Sequence, residues 1–213
     1  MRLDVFTLVP HAFAWLTEQR PLATVLGGEL DLRLFSYRDT TPLGSGTVDD
    51  EPYGGGAGMV LRVDVVASAL DEVYGGMPSH RVVALTPQGR QLTQAVVEEL
   101  ATEPRLTLLT ARFEGFDERI VEHLCNDSIS VGPYVLSNGD LPAMVVVDAI
   151  ARRLPGALSE GSGELESFSP FLGGGREHPH YTRPAEFRGW HVPEVLLSGD
   201  HGKVEAWRRE HVR

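Results

Sequence analysis

Apolar positions follow two rhythms along the chain. Leu3–Val9, Arg81–Leu85 and Leu106–Leu109 are short, nearly continuous apolar runs with β-branched members, and they predict strands buried on both faces. Asp31–Tyr37 alternates Leu32, Leu34 and Ser36 with Asp31, Arg33 and Phe35, which predicts a further strand. Ser128–Val131 and Tyr134–Leu136 read as short extended pieces. Between these runs the apolar spacing becomes helical. It predicts helices at Ala12–Gln19, Asp64–Tyr74, Thr93–Thr102, Asp117–Leu124 and Met144–Leu154, the last ended by Pro155-Gly156. In Asp64–Tyr74 the residues Val65, Val66, Ala69 and Val73 lie near one face.

Strands that alternate with helices imply an α/β fold, a mostly parallel sheet with helices on both faces. Ligands on such sheets bind beyond the carboxyl ends of the strands. The loops to watch are therefore Thr86–Arg90, Thr110–Asp117 and Gly132–Asp140. Thr40–Gly58 is a long glycine-rich stretch with Pro42 and Pro52, of the kind that is either functional or disordered. Three regions follow: a principal domain over 1–156, a flexible linker of Gly, Ser, Glu and Pro over 157–175, and a partly ordered region over 176–213. The last holds Trp190, Trp207 and most of the histidines, and closes on a predicted helix, Gly202–Val212.

Charge and composition narrow the function classes. The chain has 213 residues and a formal net charge of −11, and its only lysine is Lys203. That balance argues against nucleic-acid binding by bulk charge, though not against a local basic patch. No apolar run is long enough to cross a bilayer. The opening MRLDVFTLVPHAF lacks the regions of a signal peptide, so a cytoplasmic location is expected. Cys125 has no partner for an internal disulfide and no nucleophile signature, and reads as a packed or idle thiol.

Six segments carry a more specific signal. They are Thr47–Met59 (TVDDEPYGGGAGM), Leu85–Arg90 (LTPQGR), Ala111–Arg119 (ARFEGFDER), Ser130–Met144 (SVGPYVLSNGDLPAM), His180–Pro184 (HYTRP) and Val192–Arg208 (VPEVLLSGDHGKVEAWR). In this order, over nearly the whole chain, they resemble the bacterial tRNA (guanine-N1)-methyltransferases. The resemblance implies the SPOUT fold with a deep trefoil knot, S-adenosylmethionine held bent inside it, and a homodimer whose active site lies at the subunit interface. It implies tRNA as the partner, methylated on guanine N1 beside the anticodon.

Methyl transfer from a sulfonium releases a neutral thioether, so the protein must hold the donor, align the acceptor and remove the N1 proton. By resemblance, Leu85, Thr86 and Pro87 form one cofactor loop, and Gly132, Tyr134, Leu136 and Gly139 the other. Glu114 matches the glutamate that contacts the target guanine; a carboxylate there can accept from both N1–H and the exocyclic amine. Arg112 is a candidate phosphate or cofactor contact, or a structural ion pair. Arg152 matches a catalytic-site arginine; a helix-end cation that complements the macrodipole accounts for it equally well. Glu166 stands where the family has an aspartate before Ser-Phe, which makes it the candidate base on a stem longer by one methylene.

Several positions depart from the family pattern. Leu43-Gly44-Ser45-Gly46 replaces a basic stretch, Pro133 replaces an acidic residue, and Asn138 and Asp140 replace a glycine and a glutamate. Family members also continue beyond the position of Arg213 into a fuller helical domain. These differences keep a second reading open, a relative that methylates a small heterocycle, and a third, a non-catalytic paralogue that binds cofactor or RNA. The glycine run Gly54–Gly58 lacks the Gly-Lys-Ser/Thr ending of a nucleotide-triphosphate loop. His178 and His180 lack zinc spacing, so no metal ligands are expected, although magnesium accompanies some family members.

Overall fold

A computed structural model of the protein describes residues 1–159 and 166–213. It divides into two compact units, Met1–Leu158 and Ser159–Arg213.

The first unit runs β1 (Arg2–Thr7), α1 (Ala14–Thr17), α2 (Leu22–Val25), β2 (Asp31–Ser36), β3 (Asp49–Asp50), β4 (Val60–Leu61), α3 (Val63–Tyr74), β5 (Arg81–Gln91), α4 (Gln94–Ala101), β6 (Arg105–Leu109), α5 (Glu118–His123), β7 (Asp127–Ser130) and α6 (Asp140–Ala151). Five strands form one sheet in the order β2-β1-β6-β5-β7. Every neighbouring pair is parallel. Strands β3 and β4 make a separate antiparallel hairpin.

Successive residues on a strand point to opposite faces, and here both faces are dry. Val5, Val83 and Leu108 enter one core with Leu16, Leu22, Leu100, Val147 and Ile150 from α1, α2, α4 and α6. Their neighbours Phe6, Val82 and Leu109 enter the other core with Val66, Leu70 and Ile120 from α3 and α5. Each fully buried apolar side chain of this size contributes about 1.5–3 kcal/mol. Burial on both faces explains why these strands read as apolar runs, whereas the edge strand β2 alternates.

Two polar groups interrupt the core. Asp4, fully buried, accepts hydrogen bonds from Arg2 Nε (2.9 Å), Arg105 Nη2 (2.9 Å) and Tyr74 Oη (2.9 Å). Asp140, 3% exposed at the start of α6, accepts from Thr7 Oγ1 (2.5 Å) and Thr110 Oγ1 (3.0 Å). That aspartate joins the ends of β1 and β6 to the start of α6.

Four predicted elements need correction. The helix expected over Ala12–Gln19 is a 3₁₀ turn, Pro10–Phe13, followed by the single turn α1. The strand expected to stop at Leu85 continues to Gln91 after an excursion. Tyr134–Leu136 is loop, with no strand pairing. The helix expected from Met144 begins at Asp140, because Pro142 falls in the first turn, where an N–H has no intrahelical acceptor anyway.

The second unit holds the hairpin β8 (Glu186–Phe187) and β9 (Trp190–His191), then α7 (Glu194–Leu197) and α8 (His201–Glu210). Asp200 caps α8 by accepting from Lys203 N at 3.2 Å. Trp207 stacks on His211 at 4.1 Å and meets His178 and Tyr181 edge-on. Within the span predicted as linker, Phe168 N donates to Gly175 O (2.7 Å), and Ser169 Oγ accepts from Leu172 N (3.4 Å). Arg176 and Arg213 exchange backbone hydrogen bonds of 2.6 and 2.9 Å.

Candidate active site

At the carboxyl ends of β5, β6 and β7, three loops enclose an open cleft of about 180 Å³. Its walls are Leu85–Pro87, Ala111–Phe116 and Ile129–Gly132 with Tyr134–Gly139.

The first wall is the excursion in β5. Leu85 and Arg90 both pair with Ile129 of β7, so residues 86–89 leave the ladder and return to it at the same neighbour. Gly89 makes the return. A Cβ there would lie 2.5 Å from the Ser128 carbonyl carbon and 2.7 Å from that of Ile129, so the two backbones cross too closely for any side chain. Arg90 then anchors the strand, donating to Asp127 Oδ2 at 2.7 Å and to Glu99 Oε2 at 3.0 Å. Glu99 also pairs with Arg81, and the hydrogen bonds from Arg90 and Arg81 hold its carboxyl down at about 2.

The second wall is a tight turn. Gly115 N donates to Arg112 O (3.0 Å), and Phe113 sits at φ 60°, in the left-handed region that side chains rarely adopt. The turn is tied to the β3–β4 hairpin through Glu114 N to Met59 O (2.9 Å) and Leu61 N to Gly115 O (3.0 Å).

The third wall is the loop from β7 to α6. A Cβ on Gly132 would collide with the Tyr134 ring, its Cζ 2.7 Å away, and one on Gly139 would press on Thr110 and Ala111 at 3.0 Å. Gly139 N donates to Ala111 O at 2.7 Å, which joins the third wall to the second. Asn138 Oδ1 accepts from Asp140 N at 3.0 Å and so satisfies the first N–H of α6 from within the loop.

Leu85, Thr86, Pro87, Arg112, Glu114, Gly132, Tyr134, Leu136 and Gly139 thus line one cleft. Arg152 stands elsewhere, at the C-cap of α6, about 20 Å along the helix from Gly139 at its N-cap. Glu166 belongs to the second unit. Thr7 and Thr110, which fix Asp140 behind the cleft, carry no local sequence signal. Their relevance lies only in their positions at strand ends. Among the described residues, no three His, Cys, Asp or Glu side chains gather as a metal cage, and no helix is long and apolar enough to cross a membrane. Cys125 is a packed thiol, pushed up to about 12 by burial.

A family model described as tRNA (Guanine-1)-methyltransferase TrmD matches residues 1–213. The chain belongs to the tRNA (guanine-1)-methyltransferase family. Among its curated relatives is the tRNA (guanine-N(1)-)-methyltransferase of Brevibacillus brevis, 47% identical over 210 residues, which are 98% of this chain and 85% of the relative. The enzyme of the same name from Geobacillus kaustophilus is 45% identical over 212 residues, covering 99% of this chain and 86% of the relative. That from Geobacter metallireducens is 46% identical over 211 residues, covering 98% and 85%. Membership of this methyltransferase family implies S-adenosylmethionine as methyl donor, and it accounts for three loops that converge at the carboxyl ends of parallel strands.

Proposed function

We propose that this chain is a cytoplasmic methyltransferase that moves a methyl group from S-adenosylmethionine to N1 of guanine beside the anticodon of tRNA, working as a homodimer with the knotted SPOUT topology. The convergence of the 85–87, 111–116 and 129–139 segments on one cleft, in a chain matched by the family from end to end, carries this reading. The acceptor is taken from the relatives' names.

The cleft residues fit the donor. The backbone N–H groups of Val135, Leu136 and Ser137 donate to no described residue, so they are available to a polar nucleoside edge. Gly132 and Gly139 leave backbone as the wall on either side of them. Leu85, Ile129 and Leu136 supply apolar surface for a flat ring. S-adenosylmethionine held there supplies an electrophilic methyl on a sulfur that leaves as a neutral thioether. The protein's own tasks are then alignment and removal of one proton. Glu114 accepts from N1–H and the exocyclic amine of guanine. Adenine lacks a hydrogen on N1, so the same carboxylate discriminates against it. Arg112 offers its cation to a phosphate or carboxylate. By the resemblance, Glu166 is the base that takes the N1 proton and Arg152 a catalytic-site arginine; Arg152 does not line this cleft, and a site shared between two copies of the chain is the route by which it contributes. The dimer reading is supported by Leu141 and Val145, one turn apart on α6 and 54% and 49% exposed, an apolar face suited to a second copy.

The test is methyl-labelled donor with a tRNA transcript bearing guanine beside the anticodon, against a matched transcript bearing adenine. Label on the guanine transcript alone is expected, and Glu114→Gln should lower it by roughly 100-fold without changing donor affinity. Equal labelling of both transcripts, or none with donor bound, overturns the reading. The second result would move the acceptor to a small heterocycle.

A further inference from the structure

Glu114 is held in an uneven way. Its backbone is fixed on both sides, by Glu114 N to Met59 O (2.9 Å), Gly115 N to Arg112 O (3.0 Å) and Leu61 N to Gly115 O (3.0 Å). Asp117 N to Leu61 O (3.0 Å) closes the same seam. Its carboxylate, by contrast, makes no hydrogen bond or ion pair with any described residue. Something other than a polar tether must set its direction.

The side chain lies over Gly58, the last glycine of the run that joins β3 to β4. A Cβ at position 58 would stand 2.6 Å from Glu114 Cγ and 2.8 Å from Cδ, and would meet Oε1 more closely still. Ordinary van der Waals contact begins near 3.4 Å. The atoms in the way belong to a flexible, exposed side chain, so a methyl group at 58 is accommodated by turning Glu114 aside. Beyond the strain of a side chain at φ +85° the methyl costs little, and the carboxylate moves.

We propose that Gly58 is a positioning residue for Glu114. With no Cβ, it leaves the space along which the glutamate stem lies, and so holds the carboxylate over the cleft for the acceptor base. The glycine run then serves acceptor recognition through its packing against Glu114. This inference rests on the reading of Glu114 as the acceptor contact.

Gly55 supplies the control. It shares the left-handed backbone of Gly58, φ +78° against +85°, but a Cβ on it meets nothing within 4 Å. Gly55→Ala and Gly58→Ala therefore both place a side chain at a similar positive φ, and only the second touches Glu114. Gly58→Asn separates the two effects again, since asparagine tolerates the left-handed region yet has a Cβ. Each variant is assayed for kcat/KM on the guanine transcript and for S-adenosylmethionine affinity, in the wild-type and Glu114→Ala backgrounds.

Gly58→Ala and Gly58→Asn are expected to lower kcat/KM by roughly 10- to 100-fold beyond Gly55→Ala, the cost of a misplaced recognition group. Donor affinity should stay at the wild-type value, which also reports a folded cleft. In the Glu114→Ala background the two positions should become equivalent, because nothing remains for a methyl at 58 to displace. If Gly58→Ala matches Gly55→Ala with Glu114 present, or still costs more with Glu114 absent, the proposal falls while the function stands. If the wild type transfers nothing to the guanine transcript, the functional reading falls and takes the proposal with it.

Discussion

An alanine at position 89 has nowhere to put its methyl group. The new Cβ would lie 2.5 Å from the Ser128 carbonyl carbon and 2.7 Å from that of Ile129. Both distances fall short of ordinary contact by up to about 1 Å, far up the repulsive wall of the pair potential. These are backbone atoms, so no rotamer change relieves the clash. β7 is one of the two edge strands of the sheet, and its retreat is the least costly response. Retreat weakens the pairing of Leu85 and Arg90 with Ile129 and of Gln91 with Ser130. Overpacking of this kind costs about 1–3 kcal/mol, and each weakened hydrogen bond up to about 1 kcal/mol more. A total near 3 kcal/mol converts to a fall in Tm of about 6–12 °C for a unit of this size. The same movement displaces the loop that β7 leads into, so S-adenosylmethionine should bind more weakly. Urea unfolding followed by circular dichroism measures the first effect, and isothermal titration the second. Gly44→Ala, where a Cβ meets nothing within 4 Å, should stay within about 0.5 kcal/mol of wild type. A Gly89→Ala protein with wild-type midpoint and donor affinity would refute the close crossing of β5 and β7.

Asp4→Ala should cost about 3 kcal/mol in urea unfolding, since it strands Arg2 and Arg105 beside an apolar site. The low end of the range for buried pairs applies because those arginines remain 26% and 31% exposed, and a loss under about 1 kcal/mol would contradict the network. Glu99 titrates near 2 when folded against an ordinary value of 4.5, so its contribution is complete above about 4.5 and vanishes as pH falls toward 2. The urea midpoint of the wild type should therefore drop through that window, and Glu99→Gln should flatten part of the drop; parallel curves would count against it. Cys125, pushed up to about 12, should react slowly with a disulfide reagent at pH 8 in the native protein and at once in urea. Rapid stoichiometric labelling of the native state would show that the thiol is not packed.

The sequence made the sheet legible because parallel strands buried on both faces leave unbroken apolar runs, as at Leu3–Val9 and Leu106–Leu109. The start of α6 was obscured by Pro142, whose breaking tendency disappears in a first turn. The excursion at 86–89 left no periodic trace, since two residues pairing with one Ile129 is a fact about the neighbouring strand. At the site, LTPQGR and SVGPYVLSNGD could be read as motifs because their residues are contiguous. The supports of Asp140 could not be read so, because Thr7 and Thr110 reach it from 133 and 30 residues away. The contact between Gly58 and Glu114 was hidden for the same reason, although both lie inside segments that the sequence singles out.

The strand order has a bearing on how the cleft comes into being. β1, the first strand made, sits between β2 and β6, and the synthesis of β6 begins only at Arg105. The bond from Thr7 to Asp140 spans 133 residues and cannot close until α6 has emerged. Pairings this distant form slowly, because long loops must be ordered before their contacts repay the entropy. During translation, then, the early strands wait with their edges open, and donor-binding competence should be among the last properties the nascent chain acquires.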